Sequence, residues 1–206
     1  MNVYAAYIPK PFYVLGSMGY TLNLFDLERD LSFGGLSRRA NSSTTAHQFN
    51  AYGEAGYDFK VGGLVVTPNA TIAYSHLWVD GFTENGADSL NLTVAGQGAE
   101  SLQSGLGGRV TLPFEACGLK IFPQIFASYQ HEFSNDSRSL DARFTQAGST
   151  FVFRTDALDR DFALVGGTLA AAGLAKNLIV QLDYSAEVGG ENYTAHFVNA
   201  GFKYSF

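Results

Sequence analysis

Charged residues are scarce in this chain. Asp, Glu, Lys and Arg make up 16% of its 206 residues, against roughly 25% in ordinary soluble domains. The formal net charge is −6, so no basic surface points to nucleic acid. A single cysteine, Cys117, excludes an internal disulfide framework. No stretch approaches the roughly 18 apolar residues of a membrane-spanning helix. That argues against a helical membrane protein and leaves strand-based ones open, because a barrel spreads its membrane signal over alternating strands. The opening MNVYAAYIPK also lacks the basic region and apolar core of a signal peptide. A barrel must first cross the inner membrane. Either a signal was removed or the chain is the C-terminal piece of something longer, and we take the second reading.

What the chain has is alternation. It is 46% hydrophobic, with 17 Phe, 11 Tyr and 23 Gly, a composition that favours β structure over disorder. In the last nine residues Val198, Ala200, Phe202, Tyr204 and Phe206 alternate with Asn199, Gly201, Lys203 and Ser205. Period two puts one set on each face of a strand. The same register recurs upstream. Phe49, Ala51, Ala55, Tyr57 and Phe59 oppose Gln48, Asn50, Glu54, Asp58 and Lys60, and Leu178, Val180, Leu182 and Tyr184 oppose Gln181, Asp183 and Glu187. Further strands are expected at 3–8, 12–26, 64–78, 121–132 and 162–174. Another return arm is expected to begin at Leu90, Leu92 and Val94 and to run on through Leu102 to Leu112, giving about nine strands in all.

Connections alternate in length. Residues 9–11, 61–63, 113–119 and 175–177 read as short turns. Residues 27–43, 79–89 and 134–161 read as long exposed loops, with a hairpin arm at 150–153 in the last. Short turns at one end and long loops at the other are the habit of outer-membrane barrels. The expected fold is therefore all-β, an antiparallel up-and-down transmembrane barrel. An odd strand count brings the first and last strands together in parallel, so the count implies an incomplete barrel with open edges.

At this point the chain resembles the C-terminal β-domain of a classical (type V) autotransporter. The residues that carry the resemblance are Arg29, the stretch Asn50–Tyr57 (NAYGEAGY), Leu64–Pro68 with Ala73 and Tyr74, Asp80–Gly86 (DGFTENG), Ser104–Arg109 (SGLGGR) and the ending Asn199–Phe206 (NAGFKYSF). The resemblance implies a 12-stranded barrel with a helix through its lumen, of which residues 1–206 would form one domain lacking the first strands. It implies a covalently linked N-terminal passenger delivered to the surface of a Gram-negative cell, outer-membrane lipid around the barrel, and an assembly machinery that reads the closing strand, Val198, Ala200, Phe202, Tyr204 and Phe206. It implies conduit and anchor rather than chemistry, with no cofactor.

The register itself nominates Glu54, Asp58, Arg109, Glu132, Asp183, Glu187 and Lys203 as lumen-facing, with both signs of charge. Tyr57, Tyr74, Trp78, Tyr129, Tyr184, Tyr204 and Phe206 are nominated as girdle aromatics near strand ends. No Gly-x-Ser-x-Gly elbow accompanies the Ser, His and Asp residues. Gly105–Arg109 lies in a strand pattern without the residues of a phosphate loop. His76 and His131 share the apolar face without a third ligand at metal-site spacing. Two other readings fit the alternation: a free-standing outer-membrane adhesin or pore acting through its loops, and a soluble ligand-binding barrel.

Overall fold

The computed structural model describes residues 1–134, 139–146, 148–155, 159–189 and 194–204. In chain order its strands are β1 (Asn2–Tyr7), β2 (Phe12–Phe33), β3 (Leu36–Tyr57), β4 (Phe59–Val61), β5 (Leu64–Val79), β6 (Phe82–Thr83), β7 (Leu92–Val94), β8 (Gln97–Thr111), β9 (Phe114–Ala116), β10 (Leu119–Glu132), β11 (Ser139–Phe144), β12 (Thr150–Arg154), β13 (Asp161–Ala172), β14 (Leu178–Val188) and β15 (Thr194–Tyr204). The main sheet runs β1-β2-β3-β5-β8-β10-β13-β14-β15, every neighbour antiparallel and adjacent in the chain's order of long strands. It curls into a half-barrel. The nine long strands expected from the alternation are all present. β1 and β15 lie at opposite ends of the order, and among the described residues no ladder joins them; nine strands leave no antiparallel way for these two to pair.

The sheet has no conventional core. Leu106 and Ile125 are each 69% exposed and Phe202 is 79% exposed, although these are among the most apolar positions in the chain. A soluble barrel would cover such residues. Here their free surface is the one a bilayer covers, while the ladder hydrogen bonds satisfy the backbone without water.

Residues 27–43 are not the expected loop. β2 and β3 continue through them, each 22 residues long, and meet at Gly34-Gly35. Both glycines have positive φ, 55° and 82°, the conformation a two-residue hairpin turn demands. The mixed charges of Glu28, Arg29, Asp30, Arg38 and Arg39 suggest a loop because both faces are polar. Above the bilayer a strand has no lipid side, so its alternation need not show. A strand of 22 residues spans about 75 Å at ~3.4 Å per residue, whereas a hydrocarbon crossing takes roughly 9–11 residues. The upper half of this hairpin therefore projects beyond the membrane.

A second sheet, β12-β11-β7-β6, is built from the other long connections. It includes Leu92 and Val94, which were expected to begin the β8 arm. Their alternation is in phase with β8, but the chain breaks at Ala95-Gly96, where the Ala95 amide donates to the Asp141 carbonyl at 3.0 Å. The hairpin arm expected at 150–153 is β12, paired with β11. The turn expected over 113–119 is a small hairpin, β9 against the start of β10.

Candidate functional site

Residues directly opposite in a ladder point to the same side of a sheet, so the register can be followed across all nine strands. One face passes from Tyr13 and Ser17 on β2 to Tyr52 and Glu54 on β3, Thr71 and Asn69 on β5, Gly105 and Arg109 on β8, Gln130 and Phe126 on β10, Thr168 on β13, Asp183 and Glu187 on β14, and Asn199 and Lys203 on β15. The other carries Met18, Ala51, Tyr74, Leu102, Ile125, Leu169, Leu182 and Ala200. The polar face is the concave one: Glu54, Asn69, Arg109, Gln130 and Glu187, from five strands, line a single groove of about 430 Å³.

Glu54 is the hub of this face. Its side chain is 10% exposed. It accepts from Tyr13 Oη at 2.5 Å, Tyr52 Oη at 2.7 Å, Asn69 Nδ2 at 3.4 Å and Arg109 Nη1 at 3.1 Å. The Arg109 guanidinium also lies 5.0 Å from the centre of the Tyr13 ring, within cation–π range. Tyr13 reaches this place because its cross-strand partner is Gly56; a Cβ there would stand 2.3 Å from the phenol oxygen. Of the residues nominated from the sequence, Glu54 and Arg109 are thus brought together. Tyr13 escaped notice because it sits between apolar Phe12 and Val14. The available signal was an aromatic in the polar phase of a strand facing a glycine.

The remaining nominated residues are spread along the same face. Asp58, just past β3, accepts from the buried Thr67 hydroxyl at 2.7 Å. Glu132 is buried and accepts from Ser101 Oγ at 2.5 Å and from the Leu102 and Ser134 amides, each at 2.9 Å. Asp183 accepts from Thr168 Oγ1 at 2.7 Å. Glu187 lies opposite Leu164 at the rim of the groove. Lys203 stands exposed on the edge strand, opposite Ile179. Val198, Ala200, Phe202 and Tyr204 fall on the apolar face of β15. Phe206 lies outside the described residues. Among the described residues no cluster of metal-ligating side chains occurs.

A second polar node lies above the membrane. Arg29, on the polar face of the projecting hairpin, binds Glu84 through Nε at 2.9 Å and Nη2 at 2.5 Å, and donates to the Leu90 carbonyl at 2.9 Å. The Leu92 amide donates to Glu84 at 2.8 Å. The Arg29 guanidinium holds the Glu84 carboxyl below the usual carboxylate range, against the opposing effect of burial. Beside this node Asn41 and Asn85 exchange backbone hydrogen bonds at 2.8 and 2.9 Å. Ala40 and Ala46 on β3 and Ala87, Val94 and Ala142 in the outer connections are all buried. The outer connections are therefore a packed cap, docked on the side of the hairpin continuous with the groove. Glu84 was not legible as a site residue, because its partner is 55 residues away.

An apolar convex face, a polar concave face and capped outer loops define an integral outer-membrane β-barrel protein. Residues 1–185 match the model of the family described as autotransporter beta-domain, and the chain belongs to that family. β15 lies beyond the matched residues. The chain is similar to an extracellular serine protease of Serratia marcescens, 24% identical over 91% of this chain and 18% of that protein. It is also similar to outer membrane protein A of Rickettsia rickettsii, 22% identical over 75% of this chain and 7% of that protein. It thus spans less than a fifth of the curated relatives' length. As an autotransporter β-domain it is an outer-membrane translocator of a Gram-negative cell.

Proposed function

We propose that residues 1–206 are one translocator domain whose concave polar face lines a conduit for an N-terminally attached passenger. The observation that carries this is the Glu54 hub, a carboxylate with four donors aimed into a groove lined from β3 to β14. A lumen that carries polypeptide needs polar groups that are fixed in place, so that they neither collapse on the passing chain nor leave it in hydrocarbon. Glu54, Asp58, Arg109, Glu132, Asp183, Glu187 and Lys203 supply that lining. None of them is assigned a chemical step; catalysis in the Serratia relative would reside in segments this chain does not cover.

Assembly is the second part of the proposal. β15 pairs along its whole length with β14 and, among the described residues, ends the order of the main sheet. Its outward stripe, Val198, Ala200, Phe202 and Tyr204 with Phe206 beyond, is what the barrel-assembly machinery would read. The test is surface display in the passenger-bearing parent. Passenger accessibility to external protease and barrel insertion are scored separately. Glu54→Leu should leave inserted barrels that display less passenger. Unchanged display with normal insertion would remove the conduit role from the hub.

A further inference from the structure

All four histidines of the chain, His47, His76, His131 and His196, lie on the apolar face. They sit eight to twelve residues from the short-turn ends of β3, β5, β10 and β15. Since roughly 9–11 tilted residues cross the hydrocarbon, that height is the outer headgroup boundary. Each is held by a phenol or carboxylate. Tyr20 Oη lies 2.5 Å from His47 Nδ1, Tyr184 Oη 2.9 Å from His196 Nδ1 and Tyr74 Oη 3.3 Å from His76 Nδ1, while His131 Nδ1 lies 2.6 Å from Asp161 Oδ1. Tyr129 also donates to Asp161, and Tyr74 bonds to Glu100. His76 stacks on Trp78 at 3.8 Å.

We infer that this belt is a proton-dependent docking surface for the phosphate groups of outer-leaflet lipids. This rests on the outer-membrane reading above. The groups facing the imidazoles are Tyr20 on β2, Tyr74 on β5, Glu100 on β8, Tyr129 on β10, Asp161 on β13 (with Arg160 beside it) and Tyr184 on β14. Higher on the same face Asp26, Glu28 and Asp30 accompany Arg39, which is the one Lys or Arg among the described residues of this face on the nine strands. Within the belt the strands themselves supply no Lys or Arg; Arg160, just before β13, offsets one of the two carboxylates, and further positive charge comes from histidine. With neutral imidazoles Glu100 and Asp161 make the belt anionic, which repels phosphate; protonation of all four reverses its sign. Protonation also turns the Tyr20–His47 and Tyr184–His196 pairs outward, whereas Tyr74 already gives its O–H to Glu100. A neutral Nδ1 accepts from the phenol, whereas in imidazolium both ring nitrogens donate. The phenol oxygen then accepts, and its own O–H is released toward a lipid phosphate. Docking therefore strengthens as the imidazoles take up protons.

Trp78 is the only tryptophan and lies within the belt. The chain is inserted into phosphatidylcholine vesicles containing phosphatidic acid, and Trp78 quenching is read with bromine on the acyl chains of one lipid or the other. From pH 7.5 to 5.5 quenching by brominated phosphatidic acid should report about a three- to tenfold enrichment of that lipid, the preference carried by roughly a quarter to half a proton taken up per docked lipid across that range. Brominated phosphatidylcholine should show no enrichment, which separates lipid recruitment from quenching by the His76 ring itself. The triple variant His47→Gln, His131→Gln, His196→Gln keeps the reporter pair and should flatten the response. Equal responses from both brominated lipids, a full response in the triple variant, or its abolition by 10 mM inorganic phosphate would each overturn the inference. Insertion is measured independently by protease protection of the strands at pH 8. Loss of protection overturns the membrane reading along with the inference, whereas a missing pH response in protected chains overturns the inference alone.

Discussion

Replacing Arg109 by Met tests whether the Glu54 hub stabilises the barrel as a charge pair or only as packing. The perturbation keeps the side-chain stem and removes the guanidinium. Two contacts are lost. One is a charge-assisted hydrogen bond of 3.1 Å to a carboxylate whose side chain is 10% exposed, worth about 1.5–3 kcal/mol. The other is the guanidinium over the Tyr13 ring at 5.0 Å, worth roughly 0.5–1 kcal/mol because the Arg109 side chain stays 29% exposed. Glu54 keeps the Tyr13, Tyr52 and Asn69 donors, so it is not stranded as an unpaired buried charge, and the full ~3–5 kcal/mol of that case does not apply. The expectation is about 2–4 kcal/mol. Glu54→Gln preserves shape and removes the charge, so it should cost less. In the double variant the two costs should fail to add by about 1.5–3 kcal/mol. The measurement is urea unfolding of the chain refolded in lipid, followed by Tyr and Trp fluorescence, as a double-mutant cycle. Additivity within ~0.5 kcal/mol, the range for independent sites, would refute the charge-pair reasoning and leave the groove as ordinary packing.

Face assignment is tested by a pair on β14: Val180→Arg should cost about 2–4 kcal/mol near mid-membrane, and Gln181→Arg far less; equal costs in lipid refolding would contradict the membrane-facing register. Glu84 has its carboxyl pKa depressed, chiefly by Arg29, so its contribution to the cap is complete above the ordinary glutamate range, ~4.3, and is lost as pH falls through the lower folded value. Amide exchange of Leu92 and Asn85 should accordingly be insensitive to pH between 8 and 5 once corrected for intrinsic rates, and protection should fall in stronger acid; Glu84→Gln should lower protection at neutral pH and abolish that acid step. Deleting Phe206, a contact worth ~1.5–3 kcal/mol if fully buried, or changing Tyr204→Asp, should reduce outer-membrane insertion of the parent and leave protease-sensitive chains. Ser205→Thr should not. Membrane fractionation with normal recovery of the deletion would reduce the closing strand to a packing role.

Much of this protein is decided by period two. In β14 and β15 the sequence alone separates Val180, Leu182, Phe202 and Ala200 from Gln181, Asp183, Asn199 and Lys203, because lipid lies on one side of the strand and polar groups on the other. Wherever that contrast holds, strands and faces were legible, including β13, whose run of Gly, Ala and Leu could have passed for a buried helix. Where the contrast ends, the reading ended too. The upper halves of β2 and β3 are strands with polar residues on both faces, and only their pairing through to Gly34-Gly35 shows it. Register across non-neighbouring strands is likewise a tertiary property. It sets Tyr13 against Gly56 and Arg109 beside Glu54, and it gathers four histidines spread over 150 residues onto one side of the sheet. Local alternation assigns a residue to a face; only the stacking of ladders assigns it a height and a neighbour, and those determine which charges meet.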